Sequence, residues 1–321
     1  MDKGIGGKMS NIFKVFLGIL AIISMQTIVS AQIGYSITDN NRDSTGLEQQ
    51  YYKFDLATGE GTLIANLGSV RREYEGLASS GSMLLGVSEF DTALCNTGSD
   101  PITGLSADVR LFTPTGVGPQ IGETCIDFGG EAAAAYNPQD GYIYSIASDD
   151  LLPDTAPRSR LYRISPTTGL ATQIGPGLTL TANSPAGGEE NPYLDGFAIL
   201  PNGTAYGSEN RFGATQAGQR GSLYRVFLTG PNAGRASFVK NTLTIDANRD
   251  TGLANLDNGT LVLLLEDGRV FFGNANDNAP FEAASYGTLT TPGCLRPINF
   301  PGQFCGDFEG FDIPNNGAGI K

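Results

Sequence analysis

From about residue 33 to residue 314, apolar and polar positions alternate in short runs rich in Val, Ile, Leu, Tyr and Phe. Glycine, proline, asparagine or aspartate breaks each run after a few residues. A period of two predicts strands, and no stretch after Ala31 holds a helical period. The strands are themselves organised by self-similarity. Glu75-Gly76-Leu77-Ala78 leads to Gly86-Val87-Ser88-Glu89, and Asp195-Gly196-Phe197-Ala198 leads to Tyr206-Gly207-Ser208-Glu209. Thr251-Gly252-Leu253-Ala254 leads to Leu264-Leu265-Glu266. A fourth copy, Glu309-Gly310-Phe311-Asp312, stands almost at the C-terminus, and its continuation lies at the other end of the chain, in Ile33-Gly34-Tyr35-Ser36-Ile37-Thr38-Asp39.

Each repeat, at a spacing of roughly 45–60 residues, reads as four strands a to d. Strand a carries the acid-Gly or Thr-Gly segment. Strand b is of the Tyr-Gly-Ser-Glu type. Strand c reads as Leu161-Tyr162-Arg163-Ile164 or Leu223-Tyr224-Arg225-Val226, and strand d as Ala171-Thr172-Gln173-Ile174. Turn residues fall between a and b at Pro138-Gln139-Asp140-Gly141, Pro201-Asn202-Gly203 and Asp257-Asn258-Gly259. Between c and d they fall at Ala57-Thr58-Gly59 and Pro166-Thr167-Thr168-Gly169, all glycine-bearing hairpin loops. Units then cover 75–122, 132–175, 195–240 and 251–288. A fifth takes strand a from 308–314 and strands b, c and d from 33–38, 51–56 and 62–67. The expected fold is all-β: a five-bladed β-propeller whose closing blade is shared by both termini, which leaves no open sheet edge around the ring. In the second unit Glu131 sits one position early and Ala132 occupies the acid slot. Six blades, with part of one drawn from 289–307, is the rival arrangement, disfavoured by the weak strand pattern there.

If strands a to d alternate in direction, the b–c and d–a connections share one face and include almost all the long ones: 39–50, 89–108, 149–159, 176–194, 209–221 and 289–307. Long loops on a rigid scaffold are where binding usually resides. The starts of strands a bring Glu75, Asp195 and Glu309 to that face, with Thr251 in the corresponding slot and Glu131 and Asp250 nearby. The ends of strands b bring Asp39, Glu89, Asp149, Glu209 and Glu266. Carboxylates gathered at one mouth repel each other unless a cation neutralises them or some stay protonated. Oxygen donors arriving from several strands suit Ca²⁺. Equally, an acid-Gly pair can simply open a strand, its carboxylate accepting a turn N–H. Arg71, Arg72, Arg211 and Arg220 occur in loops of that face near the acids, either to clamp an anionic group or to form surface ion pairs. The Asn274-Ala275-Asn276-Asp277-Asn278 run distantly echoes a calcium loop but, as a c–d turn, needs no metal.

The a–b segment typified by residues 195–207 resembles the repeats of NHL-like and gluconolactonase/regucalcin-like propellers, and also looks like those of phytase-like (esterase-like) domains. The resemblance runs along nearly the whole chain after residue 31. It implies that the residue preceding glycine at the start of each inner strand ligates a calcium or zinc ion on the axis: Glu75, Asp195 and Glu309, with Thr251 as a weaker donor. Five-bladed calcium-activated nucleotidases are a second analogy, without their local motifs.

Composition narrows the chemistry. Residues 1–31 read as a signal peptide, with Lys3, Lys8 and Lys14 before an apolar stretch from Val15 to Val29 and small residues at Val29-Ser30-Ala31. The expected mature chain, 32–321, is a single secreted domain, extracellular or periplasmic, monomeric and without a membrane span. Removing the leader leaves 17 Lys+Arg against 32 Asp+Glu, a net charge of −15, which repels nucleic acid and attracts cations. Four cysteines in an exported chain suggest two disulfides, Cys95–Cys125 and Cys294–Cys305. The chain has no histidine, so Ser-His-Asp and Cys-His catalysis are excluded. No tryptophan is present to stack on sugar rings, and no glycine-rich phosphate loop leads into a helix; no nucleotide, haem or flavin site is expected. Two functions follow. One is a scaffold that binds a protein, glycan or small ligand through its loop face, with an axial Ca²⁺. The alternative is a calcium-dependent hydrolase of an ester, lactone or phosphoester.

Overall fold

The computed structural model describes residues 32–39, 49–67, 73–80, 83–89, 107–113, 115–126, 131–148, 156–182, 191–209, 221–243, 251–293 and 308–314. They form five four-stranded antiparallel sheets, with no α-helix among the described residues. The closing sheet contains β1 (Ile33–Asp39), β2 (Gln49–Asp55) and β3 (Glu60–Asn66), completed on its inner side by β20 (Phe308–Asp312). The first blade is β4 (Glu73–Ser80), β5 (Met83–Glu89), β6 (Asp108–Thr113) and β7 (Gly116–Glu123). The second is β8 (Glu131–Asn137), β9 (Tyr142–Ser148), β10 (Ser159–Ile164) and β11 (Ala171–Ile174). The third is β12 (Gly196–Ile199), β13 (Ala205–Glu209), β14 (Ser222–Val226) and β15 (Ala236–Asn241). The fourth is β16 (Thr251–Asn255), β17 (Leu261–Leu265), β18 (Arg269–Gly273) and β19 (Glu282–Thr288). This is the five-bladed propeller expected from the repeats, with the C-terminal strand paired antiparallel to the N-terminal one: Tyr35 opposite Asp312, Ser36 opposite Phe311 and Thr38 opposite Phe308.

No sixth blade uses the described part of 289–307. Thr290 bridges to Glu60 and its N–H donates to the Gly59 carbonyl (2.9 Å), so this stretch is laid along the outer edge of the closing blade. The hairpin turns fall where expected. Gly59, Gly141, Gly169, Gly203 and Gly259 all have φ between 73° and 83°, the left-handed conformation such turns require. Asn202 and Asn258 accept the N–H of Thr204 and Thr260 (2.9 Å each) within their turns.

The apolar core is divided into five clusters, one in each seam between neighbouring blades. Both faces of every blade are therefore buried, and strand alternation decides which seam a side chain enters. In the repeated motif the large apolar residue fills the seam with the preceding blade: Leu77, Phe197, Leu253 and Phe311. The alanine after it, Ala78, Ala198 or Ala254, enters the seam with the following blade. The motif glycine shares the alanine's side, and the neighbouring inner strand lies against it. A Cβ on Gly310 would stand 2.5 Å from the Glu75 carbonyl oxygen, and one on Gly252 would stand 2.6 Å from Cβ of Phe311. On Gly76 it would overlap the Ala132 carbonyl. The glycine is thus demanded by inter-strand contact at the axis. Gly76→Ala should cost about 1–3 kcal/mol through forced backbone shifts, a fall of roughly 5 °C in melting temperature. Unfolding indistinguishable from wild type would show that the inner strands are not packed this closely.

Candidate functional site at the axial mouth

Three inner strands, β4, β12 and β20, are fixed at their starts by polar groups of the preceding blade, and an acid comes next in sequence. At the start of β4, Gln49 of the closing blade accepts the Tyr74 N–H on Oε1 (2.8 Å) and donates from Nε2 to the Tyr74 carbonyl (3.3 Å). The Tyr74 ring is fully buried, its hydroxyl donating to Asp108 (2.9 Å) and accepting from Arg110 Nε (2.8 Å). Ser88 Oγ accepts the Asp108 N–H (2.8 Å) and donates to its carboxylate (3.1 Å), completing a closed buried network. Before β12, Ser159 accepts the Leu194 N–H (2.9 Å) and donates to the Pro192 carbonyl (2.9 Å), while Ser148 donates to the Leu194 carbonyl (2.7 Å). At the start of β20, the Phe308 N–H donates to the Glu266 carbonyl (3.2 Å). Glu75, Asp195 and Glu309 follow directly on these clamped residues.

The three acids meet at one small axial cavity. Its lining includes Glu75 and Leu77 of β4, Asp195 and Phe197 at β12, Glu309 of β20, and Ala133 and Ala134 where the second blade's motif is degenerate. The cavity is small, about 10 Å³, the space of one water or one bare ion. Glu75 and Asp195 are 6% and 7% exposed, and Glu309 is half-buried. Among the described residues no three acid, histidine or cysteine side chains stand close enough together to hold one metal ion. The carboxylates present therefore do not by themselves make the cage of six to eight oxygens that Ca²⁺ takes.

The other expected residues are placed as follows. Thr251 begins β16, and Asp39 and Glu89 end β1 and β5, but their side chains, like that of Glu131, lie outside the described residues. Asp149, Asp250, Arg71, Arg72, Arg211, Arg220 and the leader 1–31 lie wholly outside them. Glu209 is 4% exposed, and its two oxygens accept the Tyr193 N–H (3.0 Å) and the Tyr224 hydroxyl (2.9 Å), so this carboxylate ties the third blade's strands together. Glu266 sits half-buried in the tight turn between β17 and β18. Of the cysteines only Cys125 is described; it is not a free thiol, while Cys95, Cys294 and Cys305 fall outside. The repeat marks the acids that follow Ser88, Ser148 and Ser208 but not the serines as partners, although Ser148 clamps Leu194 and Ser88 holds Asp108; Gln49 carries no repeat signal at all.

At the far end of the axis Asp312 breaks the pattern, standing in the slot that Ala78, Ala198 and Ala254 fill elsewhere. Its carboxylate accepts the N–H of Ser79 on the next inner strand and the N–H of Ile313 (2.8 Å), joining the last strand to the first complete blade. Burial pushes this carboxyl up to about 6, against the lowering pull of those hydrogen bonds.

No protein-family model and no curated protein sequence matches this chain. Among solved structures it is similar to a periplasmic gluconolactonase from Pseudomonas aeruginosa (13% identity, 84% of this chain and 70% of that one, TM-score 0.40). It is also similar to a protein of unknown function from Bacteroides thetaiotaomicron (15%, 72% and 53%, TM-score 0.41). A third is a protein provisionally assigned as a 6-phosphogluconolactonase from Bacteroides uniformis (16%, 80% and 70%, TM-score 0.37). At these values the likenesses carry no argument about activity, and the five-bladed architecture rests on the sheets themselves.

Because the folded Asp312 titrates above an ordinary aspartate, the fold favours its protonated form. That stability is fully present below about pH 4 and is lost as pH rises through about 6. Urea unfolding at pH 4 and pH 7 should show wild type losing on the order of 2–3 kcal/mol more than Asp312→Asn across this interval. Parallel pH profiles for the two proteins would refute the assignment.

Proposed function

We propose that this propeller is a binding scaffold that presents its axial acid mouth, and the long connections around it, to a ligand carrying a cationic group. The observation that supports this most is the cavity lined by Glu75, Asp195 and Glu309. It lies at the end of the ring where strands a begin and strands b end, and the described strand ends put the long b–c and d–a connections there too: 39 to 49, 89 to 108, 148 to 159, 209 to 222 and 288 to 308. Between the inner strands the cavity has room for an ion or the tip of a charged group. Ca²⁺ is the free ion this reading puts there; its charge would have to draw together Glu75, Asp195 and Glu309, which stand too far apart here to hold it unaided, with Thr251 as a further donor and water supplying the remainder of its shell. The same ion would polarise a carbonyl or phosphoryl oxygen if the protein were instead a hydrolase. The partner is a protein, glycan or small molecule bearing positive charge, and the chain acts outside the cytoplasm after loss of residues 1–31, with its cysteines paired.

Thermal melting of the mature protein in EDTA and in millimolar Ca²⁺ tests the mouth. An ion present at a hundredfold its Kd contributes about 2.7 kcal/mol, so Ca²⁺ should raise the melting temperature by roughly 5 °C. Glu75→Gln and Asp195→Asn should each abolish the rise. Absence of any shift would remove the cation from this reading. Ca²⁺-dependent turnover of a chromogenic ester, lactone or phosphoester would replace the scaffold by a hydrolase.

A further inference from the structure

Only three lysines follow residue 31: Lys53, Lys240 and Lys321. Lys53 is exposed, but Lys240, on β15 at the outer edge of the third blade, is only 7% exposed. Its ammonium leaves its own blade and enters the c–d turn of the fourth. There Nζ donates to the Asn274 carbonyl (2.5 Å), to Asp277 Oδ1 (2.8 Å) and to the Ala279 carbonyl (2.7 Å). It also lies 5.0 Å from the centre of the Phe281 ring, itself 5% exposed. Three acceptors for three N–H donors is complete satisfaction of an ammonium, and an aromatic face on one side adds cation–π attraction.

We infer that the turn formed by residues 274–279 is a cation site selective for a primary ammonium, and that Lys240 is its permanent occupant, locking the seam between the third and fourth blades. The turn is also braced by its own side chains: the Asn276 N–H donates to Asn274 Oδ1 (2.8 Å) and the Ala279 N–H to Asp277 Oδ1 (3.1 Å), while the Asn274 and Ala279 carbonyls face the ammonium. The hydrogen bond from Lys240 holds the Asp277 carboxyl below the usual aspartate range, in keeping with a carboxylate that stays ionised to balance the charge. The lock is reinforced beside it, where the Phe281 N–H donates to the Thr242 carbonyl (2.7 Å). The chain otherwise favours arginine, with 14 arginines after residue 31 against those three lysines. A planar guanidinium could not direct its N–H groups at three acceptors surrounding one point, so lysine here answers to the geometry of the cage. The Asn/Asp-rich turn that echoes a calcium loop is thereby occupied by an internal cation, which leaves no place in it for a second.

Chemical rescue tests this directly on the mature chain. Lys240→Met should lower the melting temperature by roughly 5–10 °C, and Lys240→Arg should not restore it. In Lys240→Ala, n-propylammonium replaces the three carbons and the ammonium that were removed. It should recover stability saturably, whereas tetramethylammonium at equal ionic strength should not. A Lys240→Met protein as stable as wild type, or equal rescue by both cations, would overturn the site. Should the variants fail to fold, reductive methylation of the folded wild type followed by peptide mapping decides the matter. Lys53 should be modified and Lys240 protected until the chain is denatured, and modification of both at one rate would contradict the inference.

Discussion

Everything in this molecule depends on how closely five inner strands approach one another around the axis. Where a motif glycine faces the next blade, the neighbouring backbone or side chain occupies the space a Cβ would need, as Gly76 against Ala132 and Gly310 against Glu75 show. That approach sets the ring's radius, and the radius sets the rest. The large residue after each glycine must fill the seam behind it, and the alanine after that must leave room in the seam ahead. The residue before the glycine is brought to the axial opening. A ring of this kind closes only if its last strand returns to its first, and the pairing of β20 with β1 supplies that closure.

Polar groups add registration to this apolar packing. Gln49 reaching Tyr74, and Ser148 and Ser159 reaching Pro192 and Leu194, hold the start of one blade to the middle strands of the previous one. Net hydrogen-bond contributions of about 1 kcal/mol each are small beside burial of five apolar clusters. They are directional, however, and burial is not. A slip of one residue in an inner strand would exchange the contents of its two seams and would carry the acid away from the mouth. The same economy operates at the rim, where Lys240 does for the fourth blade's outer turn what Gln49 does for β4.

Much of this architecture was legible in the chain because a repeat repeats its constraints. Glycine before a large apolar residue recurs wherever an inner strand meets the axis, so Glu309-Gly310-Phe311 at one terminus and Ile33–Asp39 at the other could be joined before any coordinates. The acid slots were legible for the same reason, and Glu75, Asp195 and Glu309 do share one cavity. What alternation and spacing do not carry is the identity of a partner in another blade. Gln49 and Tyr74, or Lys240 and Asn274, are met only when the ring is closed, and nothing local marks them. Glu209 shows the converse: its place at the end of a strand resembles that of the other rim acids, yet Tyr224 and Tyr193 lie within reach and absorb its carboxylate. Asp312 was visible as the one acid in an alanine slot, but its unusual titration arises from burial against Ser79, a residue far away in sequence.

The scaffold reading depends on the ring being closed at that shared blade, because an open ring would have neither a fixed axial mouth nor acids held about it. Hydrogen exchange of the backbone amides of β20 measures this most directly. A closed ring requires that amides in 308–312 be protected to the same degree as those of β12 and β16, exchanging only when the whole domain unfolds. Rapid exchange of β20 while β12 and β16 stay protected would show a frayed terminus and an open ring, and would contradict the account.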